Sequence, residues 1–540
     1  MISLTPEPDE LKFTGRWFRF NGFKNFPDFL IREFNLPRGD WIIKKTDGED
    51  NGIRIAEGKI FYWGDEKTAY ASIIQLTLQR EGYLPEVYVR EKFIFKFRCF
   101  HLDIARGGVP KVDTFKEILR LLFLLKYNFF AIYFEDLYPW QKYPSIGLKR
   151  GKLTLEEWNE ILDYGEKLGI DIFPSLELAG HMENILTLPE YRKYSEWHRP
   201  REGCLDVSNE EARNFAYSLL EEALDTSPSK YIHIGGDETW AMGRGKSLDK
   251  TLTYRGPELY LMHHKNMINM VEKKGKRPIL WGDMLIGMYL REGGRELWRK
   301  LIEDKIWSKV IIANWDYSPS PKEHFIRKIR MFKDKGYIQI ACPGYSNWNR
   351  YYPDFETALK NISNFLEAAR EEGILGFMAT AWGDDGEECL FSHLYPLILA
   401  TMEIAEGNGK WEEKWITISG ESKEILEFRK DVGRIEVSNY IKKVLFNPTQ
   451  EIKDYPIYDV WEKILVKYSN IMLPEPLKFI YDCIKIGLQK VEDKISISDY
   501  IRLSNQYAYL WLKERKYNGL ERIVARFWSA ASQLDLEKKI

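Results

Sequence analysis

From about residue 94 to residue 384, short apolar runs alternate with longer stretches of helical spacing. Several of the apolar runs are nearly continuous, which is typical of strands buried on both faces. The eight runs cover residues 93–104, 128–136, 171–178, 231–238, 277–284, 309–317, 337–345 and 373–384. Helical spacing lies between them, for example in residues 112–126, 155–168, 209–224 and 355–372. This alternation predicts a (β/α)₈ barrel. A doubly wound sheet is the rival fold, but no glycine-rich phosphate-binding fingerprint follows an early strand.

The two ends of the chain have different patterns from the barrel. Residues 56–63 predict a strand, and residues 69–79 predict a strand or a helix. After about residue 405 the β pattern fades, and Glu/Lys-rich segments with helical spacing follow. We therefore predict an α/β protein with a small α/β domain (1–92), a catalytic barrel (93–404) and a helical C-terminal region (405–540).

Composition narrows the class of protein further. The formal net charge of -2 among 540 residues gives no field for nucleic acid or a membrane surface. We find neither a signal peptide nor an apolar run of about 18 residues, so no membrane association is predicted. The five cysteines are scattered and the eight histidines do not cluster. We therefore expect a cytoplasmic protein without disulfide, metal or cofactor. The sequence does not decide between three roles for the C-terminal region: it could cover the barrel, form a homodimer interface or contribute a residue to a neighbouring site.

Two adjacent acids end the fourth run, which reads His233-Ile-Gly-Gly-Asp237-Glu238. Neighbouring side chains of a regular strand point to opposite faces, but the two glycines permit an irregular backbone. Both acids could then face one pocket, where like charges raise one pKa as a general acid requires. The alternative is a solvated pair at the start of a loop.

The seventh run ends at Tyr345-Ser-Asn347 and offers no acid. Most retaining glycosidases use a second carboxylate as nucleophile, and substrate-assisted families are the exception. The missing acid favours attack by a 2-acetamido oxygen of the substrate. Asp237 would then hold the acetamide N–H, and Tyr345 could hydrogen-bond the acetamide oxygen or be a core tyrosine.

Tryptophans stand at four strand ends, where a barrel places its functional residues. Together they predict an aromatic box that suits an acetamide methyl and a sugar face; they are Trp281, Trp315, Trp348 and Trp382. Asp384 could accept hydrogen bonds from sugar hydroxyls, and Asp385, Glu387 and Glu388 are either further acceptors or surface charges. Arg98 lies within an apolar strand, so it is either a structural ion pair or a hydroxyl clamp. His181 either bridges carboxylates or is structural.

At these residues the chain resembles glycoside hydrolase family 20, the β-N-acetylhexosaminidases. The motif His-x-Gly-Gly-Asp-Glu stands at His233 to Glu238. The resemblance implies that Glu238 is the general acid/base and that Asp237 orients the acetamide. The first-strand pattern of the family matches Arg98, Leu102-Asp103 and Arg106. It implies that Arg98 clamps the ring hydroxyls.

Other positions resemble the family less closely. Residues Glu177-Leu-Ala-Gly180-His181 have Glu where the family has Asp, and Tyr345-Ser-Asn347 has Asn where Asp is usual. The resemblance implies that Asp136 and Asn347 contact the substrate. It also implies that His181, Glu177 and His233 support the carboxylates from behind. Trp382-Gly-Asp384 resembles the closing Trp-x-Glu, and these departures suggest a divergent branch similar to intracellular bacterial members.

The predicted function is that of an exo-β-N-acetylhexosaminidase. Its substrate would be an oligosaccharide or glycoconjugate with terminal non-reducing β-linked GlcNAc or GalNAc, cleaved by substrate-assisted retaining catalysis. One alternative is a two-carboxylate glycosidase that uses Glu238 with Glu177 or Asp384. The other is a carbohydrate-binding protein without catalysis.

Overall fold

A computed structural model describes residues 2–537. The chain begins with a five-stranded sheet in the order β1-β5-β3-β4-β2, whose strands and helices are β1 (Glu10–Arg19), α1 (Asp28–Glu33), β2 (Ile42–Lys45), β3 (Asn51–Ala56), β4 (Lys59–Trp63), α2 (Glu66–Thr77) and β5 (Tyr83–Glu91). Asp65 starts α2, because its side chain accepts a hydrogen bond from the backbone N–H of Thr68. The sequence did not decide between a strand and a helix for residues 69–79, and these residues lie largely in α2.

Eight parallel strands close into a barrel. They are β6 (Phe97–Asp103), β7 (Phe129–Tyr133), β8 (Asp171–Ser175), β9 (Tyr231–His233), β10 (Arg277–Trp281), β11 (Ile311–Trp315), β12 (Gln339–Cys342) and β13 (Gly376–Ala381). The strand β13 pairs with β6 and closes the ring. All seven residues of β6 are buried, as its continuous apolar pattern predicts. The aromatic rings of Phe97 and Phe129 stack 4.2 Å apart in the barrel interior.

Helices surround the barrel and follow it. Those around the barrel are α3 (Val112–Leu124), α4 (Leu155–Leu168), α5 (Glu183–Leu186), α6 (Glu210–Thr226), α7 (Lys246–Thr251), α8 (Gly256–Lys273), α9 (Glu292–Arg299), α10 (Lys322–Lys333), α11 (Phe355–Glu371) and α12 (Tyr395–Glu406). The C-terminal helices are α13 (Trp411–Ser419), α14 (Lys423–Val432), α15 (Ile435–Ser438), α16 (Ile441–Phe446), α17 (Thr449–Ile452), α18 (Tyr458–Lys467), α19 (Glu475–Val491), α20 (Ile497–Glu514) and α21 (Leu520–Glu537). The predicted barrel with a preceding sheet and a helical C-terminal region is confirmed.

No helix among the described residues combines the length and apolar character that a membrane span requires.

Candidate active site

A cavity of about 280 Å³ opens at the carboxyl ends of the barrel strands. Its walls combine aromatic rings with ionisable groups, and they consist of Arg106, His181, Asp237, Glu238, Trp281, Tyr289, Trp315, Tyr317, Trp348, Trp382 and Asp384. The structure therefore brings the adjacent acids, the four predicted tryptophans and Asp384 to one site. This is the end of the barrel where functional groups gather in enzymes with this fold.

The turn after β9 explains how two adjacent acids face one cavity. Gly235 and Gly236 have φ angles of 69° and 97°, and Glu238 also has a positive φ of 49°. A Cβ atom on Gly235 would lie 2.3 Å from Oε2 of Glu177, so a larger residue does not fit. The irregular backbone breaks the strand alternation, and Asp237 and Glu238 both line the cavity.

His181 lies between Asp237 and Glu238. Of its two predicted roles, this position agrees with the bridging of carboxylates. Its Nε2 is 3.4 Å from Oδ2 of Asp237 and 3.6 Å from Oε2 of Glu238. Burial opposes a charge on the ring, but the Asp237 carboxylate outweighs burial and raises the pKa of His181 to about 10. The imidazolium form therefore predominates at neutral pH.

Asp237 is kept ionised although it is buried. Burial alone would raise its pKa, but His181 and a hydrogen bond with Glu177 lower the pKa below the ordinary aspartate value. Burial and the nearby Asp237 raise the pKa of Glu177 well above its ordinary value. Of these two carboxyls, Glu177 therefore holds a proton more readily than Asp237, and the Oε2 of Glu177 also accepts a hydrogen bond from the Gly236 N–H at 3.4 Å.

Glu238 is the more accessible acid of the pair, with 33% of its side chain exposed. Burial and then Asp237 raise the pKa of Glu238 above its ordinary value. The backbone N–H of Glu238 donates to Oδ2 of Asp283 at 3.0 Å, and Nε1 of Trp315 donates to Oδ1 of the same carboxylate at 3.3 Å. Asp283 therefore fixes the Glu238 backbone relative to an aromatic wall.

Aromatic side chains form the walls and hold one another in place. Tyr317 stacks on Trp315 with ring centroids 5.1 Å apart. Nε1 of Trp382 donates to the Tyr317 hydroxyl oxygen at 2.8 Å, and the Trp382 ring lies 5.8 Å from that of Trp281. Trp348 lies 5.4 Å from Tyr317. The walls can receive the apolar face of a sugar ring and a methyl group.

Arg106 is the arginine that the structure brings to the cavity. Its Nη1 lies 2.8 Å from Oδ2 of Asp103 and 3.8 Å from Oδ1 of Asp384, and its Nε lies 3.1 Å from Oε1 of Glu135. These carboxylates hold the guanidinium in place while one edge of it lines the cavity. Tyr317 and the exposed Tyr289 also line the cavity, and the sequence did not predict either of them as a site residue.

Arg98, predicted as the sugar clamp, lies away from this cavity. It is the second residue of β6, at the amino end of the strand. Its Nε donates to the backbone carbonyl of Lys126 at 3.1 Å, and its Nη1 donates to that of Phe95 at 2.7 Å. Arg98 is thus a buried structural residue. Arg106, which follows the carboxyl end of the same strand, is the arginine that lines the cavity.

Tyr345 is also turned away from the cavity. It is fully buried, its hydroxyl oxygen accepts a hydrogen bond from Thr401 in α12 at 3.2 Å, and its ring stacks on Phe100. Tyr345 is therefore the core tyrosine that the sequence left as an alternative. Tyr317, two residues after the end of β11, lines the cavity together with Tyr289.

Three further predicted residues lie behind the cavity walls. Asn347 donates from Nδ2 to the Trp382 carbonyl at 2.7 Å, and Asp136 forms an ion pair with Arg150. Both are buried, so their predicted contacts with substrate are replaced by contacts within the protein. His233 packs 4.3 Å from the ring of Trp281, and burial lowers the pKa of His233 to about 3.

One group of possible metal ligands occurs in the described part of the chain: ligand atoms of Glu135, His181 and Glu183 lie within 4.8 Å of one another. The raised pKa of His181 keeps this imidazole protonated beside Asp237. His181 forms its ion pairs with Asp237 and Glu238, and Glu135 forms one with Arg106.

A barrel with paired acids in an aromatic cavity is the architecture of a carbohydrate-cleaving site. Residues 95–408 match the sequence model of the glycosyl hydrolase family 20 catalytic domain. The chain is 24% identical over 311 residues to human hexosaminidase D, a match that covers 53% of this chain and 60% of the human protein. It is 23% identical over 355 residues to a β-hexosaminidase of Porphyromonas gingivalis, covering 59% of this chain and 44% of that protein.

Solved structures share the fold. A β-N-acetylhexosaminidase from Bacteroides fragilis superposes with a TM-score of 0.61 and 21% identity, over 77% of this chain and 94% of that chain. A chitobiase from Flavobacterium johnsoniae has a TM-score of 0.60 and 17% identity, over 98% of this chain and 99% of that chain. The chain belongs to glycosyl hydrolase family 20. The predicted family and the predicted class of enzyme, a glycoside hydrolase, are thereby confirmed.

Proposed function

We propose that this protein is an exo-β-N-acetylhexosaminidase that releases terminal β-linked GlcNAc or GalNAc with retention of configuration. The observation that supports the proposal most directly is that the two adjacent acids differ in pKa and in exposure. Asp237 is held ionised by His181, while Glu238 beside it has a raised pKa and a more exposed carboxyl. A cavity of about 280 Å³ suits one sugar residue rather than a chain, which favours an exo mode.

In the first step, the neutral Glu238 donates its proton to the glycosidic oxygen while the acetamide oxygen attacks the anomeric carbon. The bond to the leaving group breaks and an oxazolinium ring forms. Asp237 accepts the acetamide N–H hydrogen bond and stabilises the positive charge. In the second step, the Glu238 carboxylate takes a proton from water, which attacks the anomeric carbon and reopens the ring.

A two-carboxylate glycosidase, the alternative function, would need Asp384 or Glu177 as its nucleophile. The position of Asp384 supports that function less well than it supports the substrate-assisted mechanism. Asp384 lines the cavity, but its Oδ1 lies 3.8 Å from the Arg106 guanidinium, an arrangement suited to binding hydroxyls. Glu177 lies behind Asp237 and is not among the residues that line the cavity, and burial together with Asp237 raises its pKa, so it is a poor nucleophile.

A pair of aryl β-glycosides tests this function. The GlcNAc glycoside and its glucose counterpart share a leaving group and differ only in the 2-substituent. We expect turnover of the GlcNAc compound and little of the glucoside. Preference for the glucoside would support the two-carboxylate enzyme, and sugar binding without turnover of either compound would support a non-catalytic binding protein.

The pH dependence of kcat/KM follows from the two pKa shifts. Activity requires neutral Glu238 and ionised Asp237. Because the pKa of Glu238 is raised from 4.5, the rate should fall on the basic side only above that value. Because the pKa of Asp237 is lowered from 3.8, the acid-side fall should lie below that value. Initial rates between about pH 3 and 9 should therefore show a basic limb above 4.5 and no acid limb above 3.8. A basic limb centred at or below 4.5 would contradict the assignment of Glu238.

Substitution of Tyr317 by phenylalanine should lower kcat/KM by about 10–100-fold. The Tyr317 hydroxyl can donate to the acetamide oxygen and so hold the nucleophile in line with the anomeric carbon, and a misplacement of about 1 Å can cost about 10²-fold in rate. Tyr345→Phe is the matched control, since that hydroxyl contacts Thr401 outside the cavity. It should retain near wild-type kinetics. Equal losses in both variants would contradict the assignment of Tyr317.

A cytoplasmic location is part of the proposal, supported by five free and buried cysteines. The homodimer stays a prediction.

A further inference from the structure

The last two helices contact the barrel loop that carries Arg106. Arg522 of α21 donates from Nη2 to the Arg106 carbonyl at 3.1 Å. The backbone N–H of Lys516, in the turn between α20 and α21, donates to the Val109 carbonyl at 2.9 Å. The C-terminal region therefore holds the backbone of a residue that lines the cavity.

The same region holds a second cavity loop, residues 382–390, which we call the Asp384 loop. Lys442 lies 2.7 Å from Oδ2 of Asp385 and 3.0 Å from Oε1 of Glu388. Arg526 of α21 pairs with Glu388, and its Nη2 lies 3.6 Å from Oδ2 of Asp385. The Glu388 side chain is 0% exposed, so its charge depends on these two cations. Asp385 and Glu388, left open by the sequence as sugar ligands or surface charges, are ion-pair partners of the C-terminal region.

The backbone of the Asp384 loop is strained. Asp385 and Glu387 have φ angles of 60° and 59°. Gly386 between them has φ of 123°, and a Cβ atom there would lie 2.5 Å from Nη2 of Arg522. Three consecutive residues in the left-handed region persist only where the surroundings hold them. The surroundings here include the cations of the C-terminal region.

We propose that Arg526 is a positioning residue for the hydrolysis: by binding Asp385 and Glu388 it holds Asp384 where the terminal sugar meets the cavity. The C-terminal helices thereby set the affinity of the site for that sugar. This inference rests on the proposed function, because it assigns Asp384 a contact with substrate. It predicts that loss of Arg526 acts through Asp384 and on KM more than on kcat.

A double-mutant cycle tests the inference. Arg526→Gln, Asp384→Asn and the double variant are assayed with an aryl GlcNAc glycoside. We expect Arg526→Gln to lower kcat/KM by about tenfold, mainly through KM. The double variant should be no worse than Asp384→Asn alone, since the two changes remove one function. Arg526→Lys should restore part of the loss.

Arg502→Gln is the matched control in the same region. Arg502 is 59% exposed and pairs with Asp499 within α20, so its loss should leave the kinetics unchanged. Additive losses in the cycle, or wild-type KM in a folded Arg526→Gln variant, would overturn the inference. If Arg526→Gln does not fold, Lys442→Gln removes the other cation and enters the same cycle with the same expected outcome. Absence of wild-type turnover would instead refute the proposed function.

Discussion

Replacement of Glu238 by glutamine is expected to lower kcat by about 10²–10⁴-fold, the usual contribution of a positioned general acid. Glutamine keeps the size of the side chain but cannot protonate the leaving oxygen. The backbone N–H that donates to Asp283 is retained, so the turn should keep its shape. Steady-state rates with an aryl GlcNAc glycoside measure the loss.

The leaving group provides the control for this variant. A strongly acidic phenol departs without protonation, so the first step of Glu238→Gln should recover with such a substrate. A pre-steady-state burst of phenol would report that recovery. The variant should also lose the basic limb of the pH profile. A rate deficit that is independent of the leaving group would indicate that Glu238 does not act as the acid.

Replacement of Asp237 by asparagine is expected to lower kcat by about 10²–10³-fold, as for loss of a group aimed at charge that develops in the transition state. The carboxylate is held ionised by His181, and its strongest interaction forms as the oxazolinium charge appears. KM should change less than kcat, because ground-state contacts with the sugar remain. Full kinetic curves with the GlcNAc glycoside separate the two constants.

Asp384→Asn is the matched control, because it changes a second aspartate that lines the same cavity. Asp384 is proposed to bind hydroxyls, so its loss should raise KM more than it lowers kcat. Wild-type kcat in Asp237→Asn would contradict the acetamide-orienting role. Identical kinetic signatures in the two variants would contradict the division of roles between the two aspartates.

The fold was predictable where burial leaves a strong pattern. The strand β6 is buried along its whole length, and its apolar run made it visible in the sequence. The strand β1 was missed because all ten of its residues are exposed or half-buried and it has little apolar alternation. Helix α2 could not be separated from a strand because nine consecutive residues of it are buried, which removes helical periodicity.

The site was predictable where the functional residues directly follow the end of a strand. Asp237 and Glu238 stand out because two glycines precede two acids, a combination with a physical reason. The choice of Arg98 over Arg106 was wrong because a pattern alone does not say which end of a strand a residue occupies. Arg98 donates to the backbone carbonyls of Phe95, three residues before it, and of Lys126, 28 residues after it, and backbone partners of this kind leave no mark in the sequence.

Strand alternation could have separated the two tyrosines. Trp315 ends β11 and lines the cavity, and Tyr317 lies two residues later on the same side. Cys342 ends β12 with its side chain in the barrel interior, and Tyr345 lies three residues later, on the opposite side. The parity of the spacing therefore favours Tyr317 over Tyr345.

The central claim is that the amide oxygen of the substrate attacks the anomeric carbon. The most direct measurement is kcat/KM for aryl glycosides of glucosamine whose N-acetyl group carries zero, one, two or three fluorine atoms. Fluorine withdraws electrons from the amide oxygen, so our account predicts a steep fall in rate with each fluorine. Rates that do not depend on fluorination would mean that a group of the enzyme is the nucleophile.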